Sequence, residues 1–252
     1  MHLCIDIGNT RSKIGVFRHL PKKPDACSDL VDTCVVNEPL QIVHLRNMMR
    51  KYPISHSLLS SVTQHSSLIN GYLEQYTNFM ELNHLTPLPI INRYATPQTL
   101  GKDRLAAVVG GNHLYPFSDI LVIDAGTCIK YDFLDKTGIY WGGSISPGIQ
   151  MRFKALHTFT QKLPLVAWQD DAPLTGNSTE SSILSGVING TFAEVDGIIE
   201  QYKAKNSDLL VIMTGGDANL FESRFKSRIF AQPNLVLYGL HKILIHNVNQ
   251  FL

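Results

Sequence analysis

The segment Cys4-Ile5-Asp6-Ile7-Gly8-Asn9-Thr10 predicts a strand that ends in a turn suited to an anion. The apolar residues before Asp6 are typical of a buried strand, and Lys13 to Phe17 form the return strand. Glycine lets a backbone come close to a phosphate, and consecutive N–H groups of a turn can cradle the anion. Taken alone, the segment also fits an ordinary hairpin with an Asp-Gly turn.

The same pattern occurs a second time, at Ile123-Asp124-Ala125-Gly126-Thr127. A third apolar run, residues 209–213, ends in Thr214-Gly215-Gly216-Asp217. A strand–Asp–x–Gly–turn pattern that repeats within one chain indicates a duplicated domain. The sequence contains neither GxxxxGK[ST] nor GxGxxG, so it predicts neither a Walker A loop nor a Rossmann site.

Strands and helices alternate along the chain, which predicts an α/β fold. We place the domain boundary so that residues 1–114 form the N-terminal domain and residues 115–252 the C-terminal domain. Apolar periodicity predicts helices over residues 41–52, 65–78, 100–114, 178–203 and 235–248. The helix over 100–114 carries small residues on one side, which lets another helix pack closely; they are Ala106, Ala107, Gly110 and Gly111.

Composition limits the class of protein. The 252 residues carry a formal net charge of +1, which gives no indication of a nucleic-acid partner. The first apolar run breaks at Asp6, and no apolar run is long enough to span a membrane, so we expect neither a signal peptide nor a membrane segment. The four cysteines, which form no CxxC pair, are typical of a reducing compartment, and we expect a cytoplasmic protein.

The segment from Tyr94 to Arg104 combines groups that could bind a second small molecule. Asp103 and Arg104 lie near the start of the predicted helix over 100–114. A carboxylate there can be merely structural because helix N-termini favour anions, and an Asp-Arg pair is often a solvated surface pair. Gly101, which allows close approach, and the ring and hydroxyl of Tyr94 strengthen the functional interpretation.

Taken in order, these motifs resemble those of type III pantothenate kinases, a family of the actin-like superfamily that includes acetate kinases, sugar kinases and heat-shock ATPases. The resemblance covers nearly the whole chain. The motifs that carry it are Asp6-x-Gly8-Asn9-Thr10-x-x-Lys13, Tyr94-x-x-Pro97-x-x-Leu100-Gly101-x-Asp103-Arg104, Asp124-x-Gly126-Thr127, Gly142-Gly143-x-Ile145-x-Pro147-Gly148, Leu163-Pro164, Gly176-x-x-Thr179 and Thr214-Gly215-Gly216-Asp217.

The resemblance implies two duplicated actin-like (ribonuclease H-like) domains with an interdomain ATP cleft, and a homodimer that uses the long helix of the C-terminal domain. It implies transfer of a phosphoryl group from ATP, with Mg²⁺, to pantothenate, the first step of coenzyme A biosynthesis. Two alternatives stay open. One is another small-molecule kinase of the same fold, and the other is a non-catalytic transcription accessory factor.

The resemblance also implies roles for individual residues. Asp103 would be the catalytic base, and Asp124 would help to bind a monovalent cation, K⁺ or NH₄⁺. The residues implied to bind ATP are Asp6, Ile7, Gly8, Asn9, Thr10, Arg11, Ser12, Lys13 and Thr127. Those implied to bind pantothenate are Tyr94, Gly101, Lys102, Asp103, Arg104 and Thr179.

Two of these positions keep a second interpretation. Thr179, which in this family often acts from the partner subunit, could also cap the helix that follows it. Lys130 departs from the small or hydroxylated residues that usually follow the second Asp-x-Gly-Thr motif. The sequence leaves it either as a surface residue or as one that affects the cation site.

Overall fold

The computed structural model describes residues 1–18, 29–222 and 229–248. Cys27 lies outside the described residues. In chain order the elements are β1 (His2–Ile7), β2 (Ser12–Phe17), β3 (Leu30–Val36), α1 (Ile42–Lys51), β4 (His56–Ser61), α2 (Ser67–Tyr76), β5 (Asn78–Glu81), β6 (Ile91–Asn92), α3 (Lys102–Leu114), β7 (Ile120–Ala125), β8 (Cys128–Leu134), β9 (Ile139–Pro147), α4 (Ile149–Thr158), α5 (Thr179–Lys203), β10 (Leu210–Thr214), α6 (Asn219–Glu222), β11 (Ile229–Ala231) and α7 (Leu235–Val248).

The first sheet has the strand order β3-β2-β1-β4-β5. Strands β1 and β2 form the predicted antiparallel hairpin, while β1 pairs in parallel with β4, and β4 with β5. Parallel neighbours need a crossover, and helices α1 and α2 occur where the chain returns to start β4 and β5. Strand β1 therefore lies in the middle of the sheet, and its end carries Asp6.

The second sheet has the strand order β11-β10-β7-β8-β9-β6. Strand β7 pairs in parallel with β10, so that Asp124 stands opposite Thr214. The turn Gly126–Thr127 joins β7 to its other neighbour, β8. The two Asp-bearing strands that the sequence singled out are thus both inner strands of their sheets, as expected for a duplicated α/β fold.

Contacts divide the chain into two compact units. Unit 1 takes in Met1–Ser118, Leu134–Gly142 and Asn234–Leu252, and unit 2 takes in Asp119–Phe133 and Gly143–Pro233, so far as these residues are described. These units are not continuous in sequence, whereas the predicted domains meet at a single boundary between residues 114 and 115. Helix α7, at the end of the predicted C-terminal domain, is counted with unit 1.

The predicted helices are confirmed as α1, α2, α3, α5 and α7. Helix α5 packs its predicted apolar face into the core of unit 2, where Ile183, Val187, Val195 and Ile199 are buried. The glycine-rich stretch 138–150, for which the sequence predicts no element, contains β9 and the start of α4. Within the part of the chain that the structure describes, no helix has the length and apolarity to cross a membrane.

The small residues of α3 allow a close helix pair inside unit 1. Helix α3 packs against α7. A Cβ atom added to Gly239 of α7 would overlap the carbonyl oxygen of Ala106, and one added to Gly110 would overlap the carbonyl oxygen of Leu235. Backbone therefore lies directly on backbone, and the predicted close packing of α3 is confirmed.

Replacing Gly239 by alanine should destabilise the protein because the backbone of α3 or α7 must shift to make room. Overpacking of this kind costs about 1–3 kcal/mol, or more where backbone must move. Gly71→Ala is the matched control, because a Cβ atom there meets nothing within 4 Å in helix α2. That control should stabilise by about 0.5–1 kcal/mol through helix propensity. Urea unfolding of both variants measures the difference, and equal midpoints would contradict the packing described.

Candidate active site

The hairpin β1–β2 presents the first predicted group of residues. Asp6 stands opposite Lys13 across the two strands, so a carboxylate and an ammonium flank the base of the turn. The N–H of Gly8 donates to the carbonyl of Arg11 over 3.1 Å, which closes the turn. Asn9, Thr10 and Arg11 are exposed at its tip. The turn can therefore offer side chains and backbone N–H groups to an anion.

Two residues of the same group are not accessible at the turn. Ile7 and Ser12 are both buried, at the end of β1 and the start of β2. Their side chains belong to the packed interior of unit 1, so only their backbone groups could face a ligand. The residues of the hairpin turn that are not buried are therefore Asp6, Gly8 to Arg11 and Lys13.

The predicted second binding segment is assembled around the ring of Tyr94. The guanidinium carbon of Arg104 lies 5.5 Å from the centroid of that ring, within the range of a cation–π contact. Tyr140 of β9 lies nearly parallel to Tyr94, with ring centroids 6.2 Å apart and an angle of 9°. Gly142 leaves room for the Tyr94 ring, since a Cβ there would approach it to 3.0 Å. The structure brings Tyr94 and Arg104 together, as predicted.

Arg104 is unusual because it carries a charge and the residue is only 4% exposed. Buried charges persist in proteins when they are paired or otherwise stabilised. A planar guanidinium can bind a carboxylate with two parallel hydrogen bonds. By its chemistry, Arg104 could bind a carboxylate-bearing ligand. That Tyr140 stacks on Tyr94 in particular follows only from the fold, because nothing in the sequence relates residue 140 to residue 94.

Asp103 lies in the first turn of α3, directly before Arg104. Its Oδ1 atom accepts a hydrogen bond of 2.9 Å from the backbone N–H of Arg104. Gly101 is the N-cap residue of the helix, and a Cβ added to it would lie 2.7 Å from that Oδ1 atom. The carboxylate orientation therefore depends on glycine at position 101, which explains the Gly-x-Asp-Arg spacing.

Lys102 has a partner that the sequence did not predict. Its ammonium lies 3.5 Å from Oε1 of Glu81, at the end of β5. The other oxygen of Glu81 accepts from the side-chain amide of Asn70 over 2.9 Å, and Asn70 in turn contacts His65 over 2.8 Å. This chain of polar contacts ties the start of α3 to α2 and β5. The side chain of Lys102 thus helps to position the segment that carries Asp103.

In unit 2, two glycines lie directly against the backbone of the turn that follows β7. A Cβ added to Gly148 would overlap the carbonyl oxygens of Gly126 and Thr127, and one added to Gly215 would overlap the carbonyl oxygen of Ala125. Gly215 also has a φ of 100°, which L side chains rarely adopt. The motif after β10 is therefore built directly against the Asp124–Thr127 turn. Thr127 is exposed at this turn.

Asp124 already has a cationic neighbour in unit 2. The ammonium of Lys130, on β8, lies 2.6 Å from Oδ2 of Asp124. Both side chains are largely buried, with 18% of Lys130 and 15% of Asp124 exposed. Lys130 is thus not an open surface residue, and its partner is the residue that the family resemblance implied to help bind a cation.

Thr179 begins helix α5 but does not cap it. The N-cap is Ser178, whose side chain accepts from the N–H of Ser181 and shares a capping box with it. Thr179 is instead exposed and lines an open cavity of about 830 Å³. The other lining residues are Leu156, Leu163, Gly176, Asn177, Ser178, Ser182, Ile183 and Gly186.

Solved structures of other proteins share this fold. A Campylobacter jejuni protein described as a conserved transcriptional activator of the Baf family matches with a TM-score of 0.61 and 22% identity, over 98% of this chain and 99% of that one. A glucokinase from an Antarctic psychrotroph matches with a TM-score of 0.53 and 13% identity, over 98% of each chain. At these identities the likeness shows the fold alone, and it is consistent with two duplicated actin-like domains.

Sequence comparison is more specific. Residues 2–201 match the family model for type III pantothenate kinase. Type III pantothenate kinases from Phocaeicola vulgatus and Christiangramia forsetii are 45% and 44% identical to the chain. The matches cover 98% and 99% of this chain, and 99% and 100% of those proteins. The chain belongs to the type III pantothenate kinase family.

Proposed function

We propose that this protein transfers the γ-phosphoryl group of ATP, bound as its Mg²⁺ complex, to the primary hydroxyl of pantothenate. The product is 4′-phosphopantothenate, and the reaction is the first step of coenzyme A biosynthesis. One observation carries the proposal beyond family membership. The carboxylate of Asp103, the buried guanidinium of Arg104 and the ring of Tyr94 occur together at the start of α3.

The β1–β2 hairpin is the proposed site for the ATP phosphates. Phosphoryl transfer depends mainly on positioning and on neutralising charge, because the protein has little covalent chemistry to perform. The N–H groups of the turn and the ammonium of Lys13 supply the positive potential, and Thr10 adds a hydroxyl donor. Asp6 can orient the water or the Mg²⁺ that accompanies the phosphates. In unit 2, Thr127 contributes a hydroxyl from the second turn.

Pantothenate carries both a carboxylate and hydroxyl groups, which match the groups at the start of α3. Arg104 would bind the carboxylate through its planar guanidinium. Asp103 would accept the proton of the primary hydroxyl as the bond to phosphorus forms. Gly101 and Lys102 hold this segment in place, and Thr179 is proposed as a further contact to pantothenate.

Homodimerisation and a cytoplasmic location are parts of the same proposal. The exposure of Thr179 beside an open cavity supports a site that a second subunit completes. A positive charge beside Asp124 is also proposed, and the family resemblance implied that a monovalent cation supplies it. The ammonium of Lys130 lies 2.6 Å from Oδ2 of Asp124 and supplies one positive charge there.

The two alternatives have weaker support. The glucokinase likeness is at 13% identity and carries no information on the acceptor. A regulator without activity would not need to retain Asp6, Lys13, Asp103 and Asp124, all of which are present. A net charge of +1 also gives no electrostatic basis for binding DNA.

The acceptor is tested directly by incubating the purified protein with Mg²⁺-ATP and one of pantothenate, glucose or acetate, and measuring ADP and phosphorylated product. We expect product with pantothenate alone. Phosphorylation of glucose or acetate in its place would support another kinase of this fold. Absence of transfer to every acceptor, from a folded protein that binds ATP, would support the non-catalytic alternative.

Asp103→Asn should lower kcat by roughly 10²- to 10⁴-fold because a general base is lost. Binding of ATP should change little, since the phosphates are assigned to the β1–β2 hairpin. Steady-state kinetics and titration with a non-hydrolysable ATP analogue measure both quantities. Glu74→Gln, an exposed carboxylate on α2 of the same unit, is the control and should keep its activity. Turnover of the Asp103 variant near that of the control would exclude Asp103 as the base.

Gly101→Ala should also lower kcat, by about 10²-fold, because the new methyl group displaces the Asp103 carboxylate and small misplacements are costly in catalysis. The structure places that methyl group 2.7 Å from Oδ1. Gly71→Ala again serves as the control, since its Cβ meets nothing within 4 Å. Circular dichroism should show both variants folded. An unchanged kcat for Gly101→Ala would show that the orientation of Asp103 does not depend on this glycine.

A further inference from the structure

The ion pair of Lys130 and Asp124 lies where the family resemblance implied a monovalent cation. The ammonium nitrogen is 2.6 Å from Oδ2 of Asp124, which is a close contact for a charge-assisted hydrogen bond. More than four-fifths of each side chain is shielded from solvent. This pair is therefore a fixed part of the interior of unit 2, unlike the mobile ion pairs of a protein surface.

The surroundings of Asp124 restrict what else its carboxylate can bind. Oδ1 lies against the backbone of Gly215, where a Cβ atom would approach it to 2.5 Å. On the neighbouring strand, Asp124 is paired with Thr214, which is buried. One oxygen of the carboxylate thus faces backbone and the other faces the ammonium of Lys130.

A potassium or ammonium ion does not fit this arrangement. It would have to share the carboxylate with a second positive charge at close range, in a partly buried setting where repulsion is weakly screened. The ammonium of Lys130 already supplies what NH₄⁺ would supply, namely one positive charge and N–H donors. The predicted monovalent cation at Asp124 is therefore in conflict with the observed geometry.

We propose that Lys130 is a built-in cation for this site, and that the enzyme needs neither K⁺ nor NH₄⁺. The inference rests on the proposed kinase function, because it assigns the source of a charge that the function uses. Covalent attachment keeps the charge in place at any salt composition. Lys130 acts through Asp124 and is thus a positioning residue.

The wild-type enzyme gives the first test, which does not depend on whether a variant folds. Activity with pantothenate and the Tris salt of ATP is measured in choline chloride, KCl and NH₄Cl at equal ionic strength. We expect rates that agree within about twofold, since no monovalent cation has to bind. The melting temperature with a non-hydrolysable ATP analogue should likewise be the same in the three salts. A wild-type enzyme that is inactive in choline chloride and restored by KCl would overturn the proposal.

Lys130→Met gives the second test, because it removes the charge and leaves an apolar chain of similar length. In choline chloride its kcat should fall roughly 10²-fold, the usual effect of losing one electrostatic stabiliser. KCl or NH₄Cl should restore part of this loss and raise the melting temperature, since the uncompensated carboxylate of Asp124 now has room for a cation. Lys130→Arg keeps the charge and should stay insensitive to K⁺, which also covers the case in which the methionine variant does not fold.

Lys154→Met is the matched control, because Lys154 is an exposed lysine on α4 of the same unit. It should behave as the wild type in all three salts. A Lys130→Met enzyme with wild-type activity and no response to K⁺ would show that the ion pair is only structural, and would overturn the proposal. If no salt supports transfer to pantothenate, the proposed function fails, and the melting temperatures in the three salts still test the role of Lys130.

Discussion

Both units are built around an inner strand that has a parallel neighbour and is buried on both faces of its sheet. This burial limits where polar side chains can occur. Strands β1 and β7 each have a parallel neighbour on one side, β4 and β10, and their apolar residues are shielded from solvent. Such a strand can carry polar groups only where it leaves the sheet. Asp6 and Asp124 occupy those positions, and each is followed by a glycine-containing turn. Chemistry is therefore concentrated at the strand ends, which is where α/β proteins commonly bind ligands.

Each unit holds a largely buried, positively charged side chain next to a group that stabilises the charge. In unit 1 the guanidinium of Arg104 is held beside the ring of Tyr94, and in unit 2 the ammonium of Lys130 is held by Asp124. A charge removed from water is retained only when its surroundings compensate for the lost hydration. Burial thus holds both groups in place without a substrate, and the proposed catalysis by charge stabilisation would require such preorganisation.

Much of the fold follows from local pattern. Apolar periodicity is sufficient to predict helices α3, α5 and α7, and the Ala and Gly residues of α3 correctly indicate a close helix partner. The sequence does not identify that partner as α7. Gly239 packs on Ala106, and these residues are more than 130 positions apart in the chain, so no local pattern relates them. Strand β9 was also not predicted, because glycine is unfavourable in strands. It forms in the fold because it pairs with β8 and β6 in the sheet.

The sequence by itself determined the family, the α/β class and the segments that carry the candidate site, because ordered motifs and their spacing are properties of the chain. Asp103 with Gly101, Arg104 with Tyr94 and the two Asp-x-Gly turns were all identifiable in this way. Only the tertiary structure placed Tyr140 against Tyr94, Glu81 beside Lys102, and Lys130 on Asp124. Each of these contacts joins side chains from different elements, so its existence depends on strand pairing and helix packing and on distances of a few ångströms. Lys130 is ambiguous in the sequence for this reason. Only the pairing of β8 with β7 brings it to Asp124, the predicted cation ligand.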